Sequence, residues 1–170
     1  MEPLFESSFG DLYDSAVTAF PHTTMRQHAT APIGVSHLQI IPFVGMHTLF
    51  LKTETVNEGR YYNSLVLVKG VQYREQLEPG LIEITASDGQ HYRFPRPSLA
   101  DSDVLVYCEC ADFNWRFRHF NHLDRSLYGR DRKKYEAQHN PGSANPLELP
   151  GACKHIMKMV EVLHNGGLFV

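Results

Sequence analysis

Two short motifs far apart in the chain constrain its fold more than any other feature. The first is Cys108-Glu109-Cys110 and the second is Cys153-Lys154-His155, and together they hold all three cysteines of the protein. Three thiolates and one imidazole form a donor set that suits tetrahedral Zn²⁺ and leaves no position for a substrate. The sequence therefore predicts a structural zinc site, with Cys108, Cys110, Cys153 and His155 as its ligands.

The residues around both motifs predict elements that present these donors. Residues 104–110 are rich in β-branched and aromatic types, which favour a strand, and side chains two apart on a strand share a face. Cys108 and Cys110 are therefore expected to point the same way. Apolar residues at helical spacing predict an amphipathic helix from Cys153 to His164, with Cys153 and His155 in its first turn. Backbone amides at a helix start also favour thiolates.

Two alternatives to zinc remain open from the sequence. Cys108 and Cys153 could form a disulfide that leaves Cys110 over, or all three thiols could be inert core residues. An odd number of cysteines and their low content argue against a disulfide framework. Iron is a further metal that such a donor set accepts.

The spacing Cys108-x-Cys110-x-x-Phe113, followed by Cys153-x-His155, resembles the SWIM zinc finger. In that family a β-hairpin and a helix bind one zinc ion. The resemblance implies that the two cysteines of the first motif, Cys153 and His155 are the ligands, and that Phe113 packs beneath the metal. Here 42 residues separate Cys110 from Cys153, more than SWIM domains usually have, so the hairpin is expected to carry an insertion.

A longer pattern is similar to small virion proteins of tailed bacteriophages. It consists of residues 108–113, the stretch from Trp115 to Arg118, the dipeptide Asn145-Pro146, and residues 150–155. This resemblance implies a structural virion component in the tail, baseplate or neck, which binds other virion proteins in a symmetric homo- or hetero-oligomer. It also implies a location in the virion, and in the host cytoplasm during assembly.

Composition excludes some classes of protein. A chain of 170 residues with 42% hydrophobic residues is large enough for one domain with a real core. The net charge of −3 gives no general argument for nucleic-acid binding. The sequence has neither a run of about 18 apolar residues nor the features of a signal peptide at its start, so no membrane span and no export by that route are expected.

The remaining pattern predicts an α+β fold. Residues 1–34 are expected to form an N-terminal helix, capped by Ser7 or Ser8 and ended by Pro21, followed by an extended arm. Residues 35–170 are expected to form a mostly antiparallel β core, a small barrel or sandwich, and a C-terminal zinc-stapled hairpin plus helix within residues 104–164. The predicted strands are Val35–Ile41, Thr48–Glu54, Tyr61–Val68, Leu81–Ala86, His91–Phe94 and Val104–Cys110.

The insertion between the two motifs is basic and aromatic. Residues 114–134 contain seven basic residues against two acidic ones, interleaved with aromatic side chains. Such a segment is typical of a protein interface or of a surface for single-stranded nucleic acid, and it is equally compatible with a solvated loop. His119 and His122 form a weaker alternative ligand pair. The candidate interface residues are Trp115, Arg116, Phe117, Arg118, Arg130, Arg132, Lys133 and Lys134.

Catalytic motifs are missing from the sequence. It has no glycine-rich phosphate loop, no G-x-S-x-G elbow and no H-E-x-x-H helix. We therefore expect neither an enzyme nor a small-molecule substrate. The expected function is that of a structural virion component whose zinc site fixes a protein-binding surface. The alternative is a SWIM-like zinc module that binds nucleic acid.

Overall fold

A computed structural model describes residues 6–21, 30–131 and 144–170. It has the predicted α+β fold, with an N-terminal helix, antiparallel sheets and a C-terminal helix. The helices are α1 (Phe9–Ala19), α2 (Arg118–Asp124) and α3 (Lys154–Asn165), and the strands are β1 (Gly34–Phe43), β2 (Thr48–Asn57), β3 (Arg60–Lys69), β4 (Leu81–Thr85), β5 (His91–Pro95) and β6 (Val104–Cys108). No helix within the described ranges is long and apolar enough to cross a bilayer.

The strands form two antiparallel sheets. The larger sheet has the order β1-β2-β3-β6, and the smaller sheet is the hairpin β4-β5. The hairpin turn at Asp88-Gly89 is confirmed: Gly89 has a positive φ, and the Asp88 carboxylate accepts a hydrogen bond from the Gln90 N–H at 2.8 Å. Every predicted strand is present, and each is one to three residues longer or shorter than predicted.

One continuous core joins the sheets to α1 and α3. Strand β2 alternates buried and half-buried residues, so that one face carries Leu49 and Leu51 toward the core. The predicted apolar stripe of α3 is buried against the same core. Helix α1 contributes Leu12 and Ala16, both fully buried. The two ends of the described chain therefore pack together around the larger sheet.

Helix α1 begins as predicted at a serine cap. The Ser8 hydroxyl accepts a hydrogen bond from the Asp11 N–H at 3.1 Å, and the Asp11 carboxylate accepts one from the Ser8 N–H at 3.0 Å. This reciprocal pair is a capping box, which satisfies two amides that a helix start leaves without partners. The helix ends at Ala19, just before Pro21. The predicted arm lies largely at residues 22–29, outside the described residues.

The segment after the first cysteine motif differs from the prediction. Strand β6 ends at Cys108, so Cys110 is not part of the strand, and the chain then forms a π-helical turn at Phe113–Phe117 that leads into α2. No second strand of a hairpin follows the motif within the described residues. The Asn114 side chain gives the physical reason: its amide donates to the carbonyls of Cys108 and Cys110 at 3.0 and 2.9 Å and turns the backbone into a helix.

Candidate metal centre

The four predicted ligands come together at one place. The donor atoms of Cys108, Cys110, Cys153 and His155 all lie within 4.8 Å of one another. Each side chain is buried, with at most 3% of its surface exposed. A tetrahedral zinc ion with Zn–S bonds of about 2.3 Å holds its ligands about 3.8 Å apart. The group therefore has the chemistry and the size of a structural metal site.

The sheet side of the site is positioned by the pairing of β6 with β3. Cys108 lies opposite Ser64, whose hydroxyl donates to the Cys108 sulfur at 3.5 Å. Cys110 lies two residues beyond the strand, where its sulfur accepts a hydrogen bond from the Phe113 N–H at 3.3 Å. Both contacts stabilise a sulfur that carries negative charge, which is the form that binds a metal.

The helix side of the site is the start of α3. Cys153 is the residue before the first helical turn, and its backbone is extended while its carbonyl already accepts the Met157 N–H at 3.0 Å. Its thiol makes no capping hydrogen bond and lies instead 3.9 Å from Nδ1 of His155. The positive end of the helix dipole favours thiolates at this position. The His155 ring also contacts the Tyr62 ring at a tilt of 43°, with 4.6 Å between the ring centroids.

His155 carries a further sign of a ligand site. Its Nε2 atom is buried and has no hydrogen-bond partner in the described part of the chain. Burying an imidazole nitrogen without a partner costs about 1–3 kcal/mol, so native proteins rarely do it without a reason. An imidazole packed beside three sulfurs gains a partner when a metal ion binds there.

The three thiols share their charge unevenly. Burial would raise the pKa of Cys108, but the neighbouring thiols of Cys110 and Cys153, the His155 imidazole and the Ser64 hydroxyl outweigh burial and hold this pKa well below its ordinary value. The hydrogen bond to Cys108 raises the pKa of Cys110, and burial together with hydrogen bonds to the other two sulfurs raises that of Cys153. Negative charge therefore concentrates on Cys108, where a divalent cation is most strongly attracted.

All three cysteines are free thiols. The disulfide between Cys108 and Cys153, left open by the sequence, is therefore not formed in this structure. The three buried sulfurs lie close to one another and to His155. Inert core thiols have no reason to converge in this way, so a metal site explains the geometry better.

The candidate interface residues in the insertion differ in how far they are exposed. Trp115 is 53% exposed, whereas Phe117 is 1% exposed and packs edge-on against Phe20 at 5.7 Å between centroids. Arg116 pairs with Asp112 at 2.9 Å and lies over the Phe20 ring. Phe117 is thus a core residue that a binding partner cannot contact to any useful extent.

Arg118 is also held inside the protein. Two of its guanidinium nitrogens donate to the Arg130 carbonyl at 3.0 and 2.6 Å, and a third donates to Asn114 at 2.8 Å. Its guanidinium lies over the ring of Tyr107. Arg118 therefore connects Arg130, within the insertion, to Asn114 in the turn that follows the cysteines. Arg130 itself is exposed, and Arg132, Lys133 and Lys134 lie outside the described residues.

His119 and His122 lie on α2, as a helical spacing of three requires. His119 Nδ1 is 3.3 Å and His122 Nε2 is 3.8 Å from the two carboxylate oxygens of Asp131. Both rings thus meet an acidic side chain at the surface. They lie outside the buried group formed by the cysteines and His155.

Asn121 supports the site although no sequence pattern marks it. Asn121 is fully buried, and its side-chain amide pairs with the backbone of Gly151, two residues before Cys153. An asparagine in a basic, aromatic segment is usually a surface residue, so only its tertiary contact reveals this role. Asn145, noted above in the dipeptide Asn145-Pro146, donates to the carbonyls of Arg116 and Leu149 at 3.1 and 2.7 Å.

Comparison with known proteins does not assign the chain to a family. No protein-family model, curated protein or solved structure matches this chain. The likeness to SWIM zinc fingers and to phage virion proteins therefore depends on the motif residues alone, and the metal centre depends on the geometry of its four donors.

Proposed function

We propose that the protein is a structural zinc protein, in which one zinc ion joins the end of β6 to the start of α3. The observation that carries this proposal is the convergence of four buried donors, three sulfurs and one imidazole, within 4.8 Å. A Cys3His set fills a tetrahedral coordination sphere, so the ion has no open position for a substrate or a reactive water. The proposal therefore assigns the ion a role in folding and none in catalysis.

The zinc ion would act on a long segment of chain. Cys110 and Cys153 are separated by 42 residues, which include the basic insertion. A metal that holds both ends of such a segment contributes binding free energy directly to folding, on the order of 10 kcal/mol. Without it, three buried thiols and an imidazole nitrogen lacking a partner remain in the core. We infer that the described arrangement of α2 and α3 depends on the ion.

We further propose that this fold serves as a virion component of a tailed phage, in the tail, baseplate or neck. Two observations support the proposal: the motif resemblance from Cys108 to His155, and large apolar side chains that are exposed, among them Met46, Tyr61 and Trp115. Exposed aromatic and Met residues are typical of protein interfaces. The partners would be other virion proteins in a symmetric assembly.

Nucleic-acid binding is the second candidate function. Its support is the basic segment of residues 114–134, but Arg116 and Arg118 already have partners inside the protein. The remaining candidates are Arg130, Arg132, Lys133 and Lys134. Binding through phosphates weakens steeply as salt rises, whereas an interface built on buried aromatic residues responds weakly. A salt titration of any binding partner therefore separates the two functions.

The assembly role is tested by supplying variants in place of the wild-type protein during particle assembly. Cys153→Ser is expected to prevent incorporation into particles, because it removes a ligand and unfolds the segment that the ion holds. Glu161→Gln changes an exposed side chain on the same helix and serves as the matched control. A Cys153→Ser variant that folds and enters particles at the wild-type level would contradict the proposal.

A further inference from the structure

An apolar groove lies between β1, β4 and the end of α3, away from the metal centre. Its volume is about 540 Å³, which is in the range of small-molecule sites in proteins. Leu38 and Val162 lie on its walls with 45% and 41% of their surfaces exposed. The groove is therefore an open apolar surface. Its other apolar walls include Ile40, Ile82, Ile84 and Leu168.

The charged residues that line this groove are Glu83 and Arg96. The Glu83 carboxylate pairs with Arg93 at 2.6 Å, so its charge is already neutralised. The Arg96 guanidinium forms no hydrogen bond or ion pair with another residue among those that the structure describes. The charge that the groove offers to a ligand is therefore a single positive one. An apolar ligand with one negative charge complements it.

Arg96 is held in place by its neighbours. It stands between Pro95, the last residue of β5, and Pro97, whose carbonyl accepts the Val170 N–H at 3.0 Å. Two prolines restrict the backbone on both sides of the arginine, which lowers the entropy lost when a ligand orders this segment.

The end of the guanidinium lies beside a residue without a side chain. Arg96 Nη2 is 4.0 Å from the position that a Cβ atom on Gly167 would occupy. Gly167 has φ near +87°, a backbone conformation that other residues rarely adopt. The turn after α3 thus keeps the space next to the guanidinium open to a ligand.

We propose that this groove binds an amphiphilic monocarboxylate, a molecule with an apolar chain and one carboxylate group. The chain would lie against Leu38, Ile82 and Val162, and the carboxylate would accept hydrogen bonds from Arg96. Arginine presents paired N–H donors that match the two oxygens of a carboxylate. The groove contains none of the four candidate metal ligands, so ligand binding is measured on the metal-loaded full chain with variants that leave those ligands unchanged.

The test uses three ligands with the same ten-carbon chain and different head groups: decanoate, decan-1-ol and decyltrimethylammonium. Binding to the full chain is measured by isothermal titration calorimetry below the micelle concentration, and the site is located by NMR. Decanoate is expected to bind about tenfold more tightly than decanol and to shift the groove residues, because a charge-assisted hydrogen bond is worth that factor or more. The cation is expected to bind most weakly.

Two arginine variants make the test specific. Arg96→Gln is expected to reduce decanoate affinity about tenfold and to leave decanol affinity unchanged. Arg60→Gln removes the same charge from the exposed first residue of β3 and is expected to change neither affinity. Both side chains are exposed, so both variants should fold. The proposal is overturned by equal affinity for all three ligands, by absent saturable binding of decanoate, or by unchanged decanoate binding in Arg96→Gln.

Discussion

The side chain of Asn121 forms two hydrogen bonds to the backbone of Gly151, thirty residues further along the chain. Its Nδ2 donates to the Gly151 carbonyl, and its Oδ1 accepts from the Gly151 N–H, each at 2.8 Å. Both groups are buried, so water does not compete for them. This pair connects α2, which follows the first cysteine motif, to the residues that lead into the second. It adds a second connection between the two halves of the candidate metal centre, besides the one that the ion would make.

Replacing Asn121 is expected to destabilise the protein strongly. In Asn121→Ala the Gly151 N–H and carbonyl remain buried without partners, which costs about 2–4 kcal/mol of the free energy of unfolding. Asn121→Asp keeps the acceptor and loses the donor, and it adds a charge in a buried place. Urea unfolding measures both variants. An Asn121→Ala protein within about 0.5 kcal/mol of wild type would show that the pair does not support the site.

Gly151 is expected to tolerate no side chain. A Cβ atom there would lie 2.5 Å from Cε1 of Phe117 and 3.0 Å from Cβ of Ala16, and all three residues are buried. Gly151→Ala should therefore cost about 1–3 kcal/mol of stability through overpacking. Adding Phe117→Leu should recover part of that loss by making room.

Gly45 provides the matched control for this glycine. A Cβ atom on Gly45 has no heavy atom within 4 Å, so Gly45→Ala should leave stability nearly unchanged. The comparison is made by thermal unfolding of both variants under the same conditions. Equal effects of the two substitutions would contradict the packing that we describe at Gly151.

The fourth ligand can be exchanged for another zinc ligand. His155→Ala leaves three thiolates, and its zinc affinity is expected to fall by more than the roughly 10–100-fold that loss of an outer partner costs. His155→Cys supplies a fourth thiolate and should keep one zinc ion, since four cysteines also form structural zinc sites. Competition with a chromophoric chelator measures both affinities. Equal affinities of His155→Ala and wild type would exclude His155 as a ligand.

Trp115 is expected to report on the metal. It is the only tryptophan of the chain and lies in the π-helical turn whose Phe113 N–H donates to the Cys110 sulfur. Removing zinc with a chelator should loosen this turn, shift the Trp115 emission to longer wavelength and increase its quenching by acrylamide. Adding zinc back should reverse both changes. An emission spectrum that is the same with and without metal would mean that the turn forms without the ion.

Local patterns in the sequence predicted most of the fold. Ser7 and Ser8, just before an apolar stripe at helical spacing, marked the start of α1, and short apolar or alternating runs over residues 48–54 and 61–68 marked two strands of the larger sheet. The stripe of α3 placed Cys153 and His155 at a helix start. These signals depend on neighbours within about four residues, so a sequence states them directly.

Individual side-chain hydrogen bonds account for what the sequence did not predict. The helical turn after Cys110 arises because the Asn114 side chain donates to the carbonyls of Cys108 and Cys110. An asparagine at this position in the sequence does not by itself predict these hydrogen bonds. Arg118 lies in a segment whose composition is typical of an interface, but its guanidinium donates to Arg130 and Asn114 within the protein. The pairing of Asn121 with Gly151 is likewise visible only after the chain has folded. The convergence of Cys108, Cys110, Cys153 and His155 was predictable because a shared metal ion, unlike these contacts, requires all four donors to meet.

The most direct test of this account is elemental analysis of purified protein together with a thiol count. The four buried donors predict one equivalent of zinc per chain and three reactive thiols after denaturation in the presence of a chelator. Cys110→Ser, prepared in the same way, should contain much less than one equivalent. Wild-type protein that is well folded, holds no stoichiometric metal when expressed with ample zinc, and shows a single free thiol would contradict the central claim.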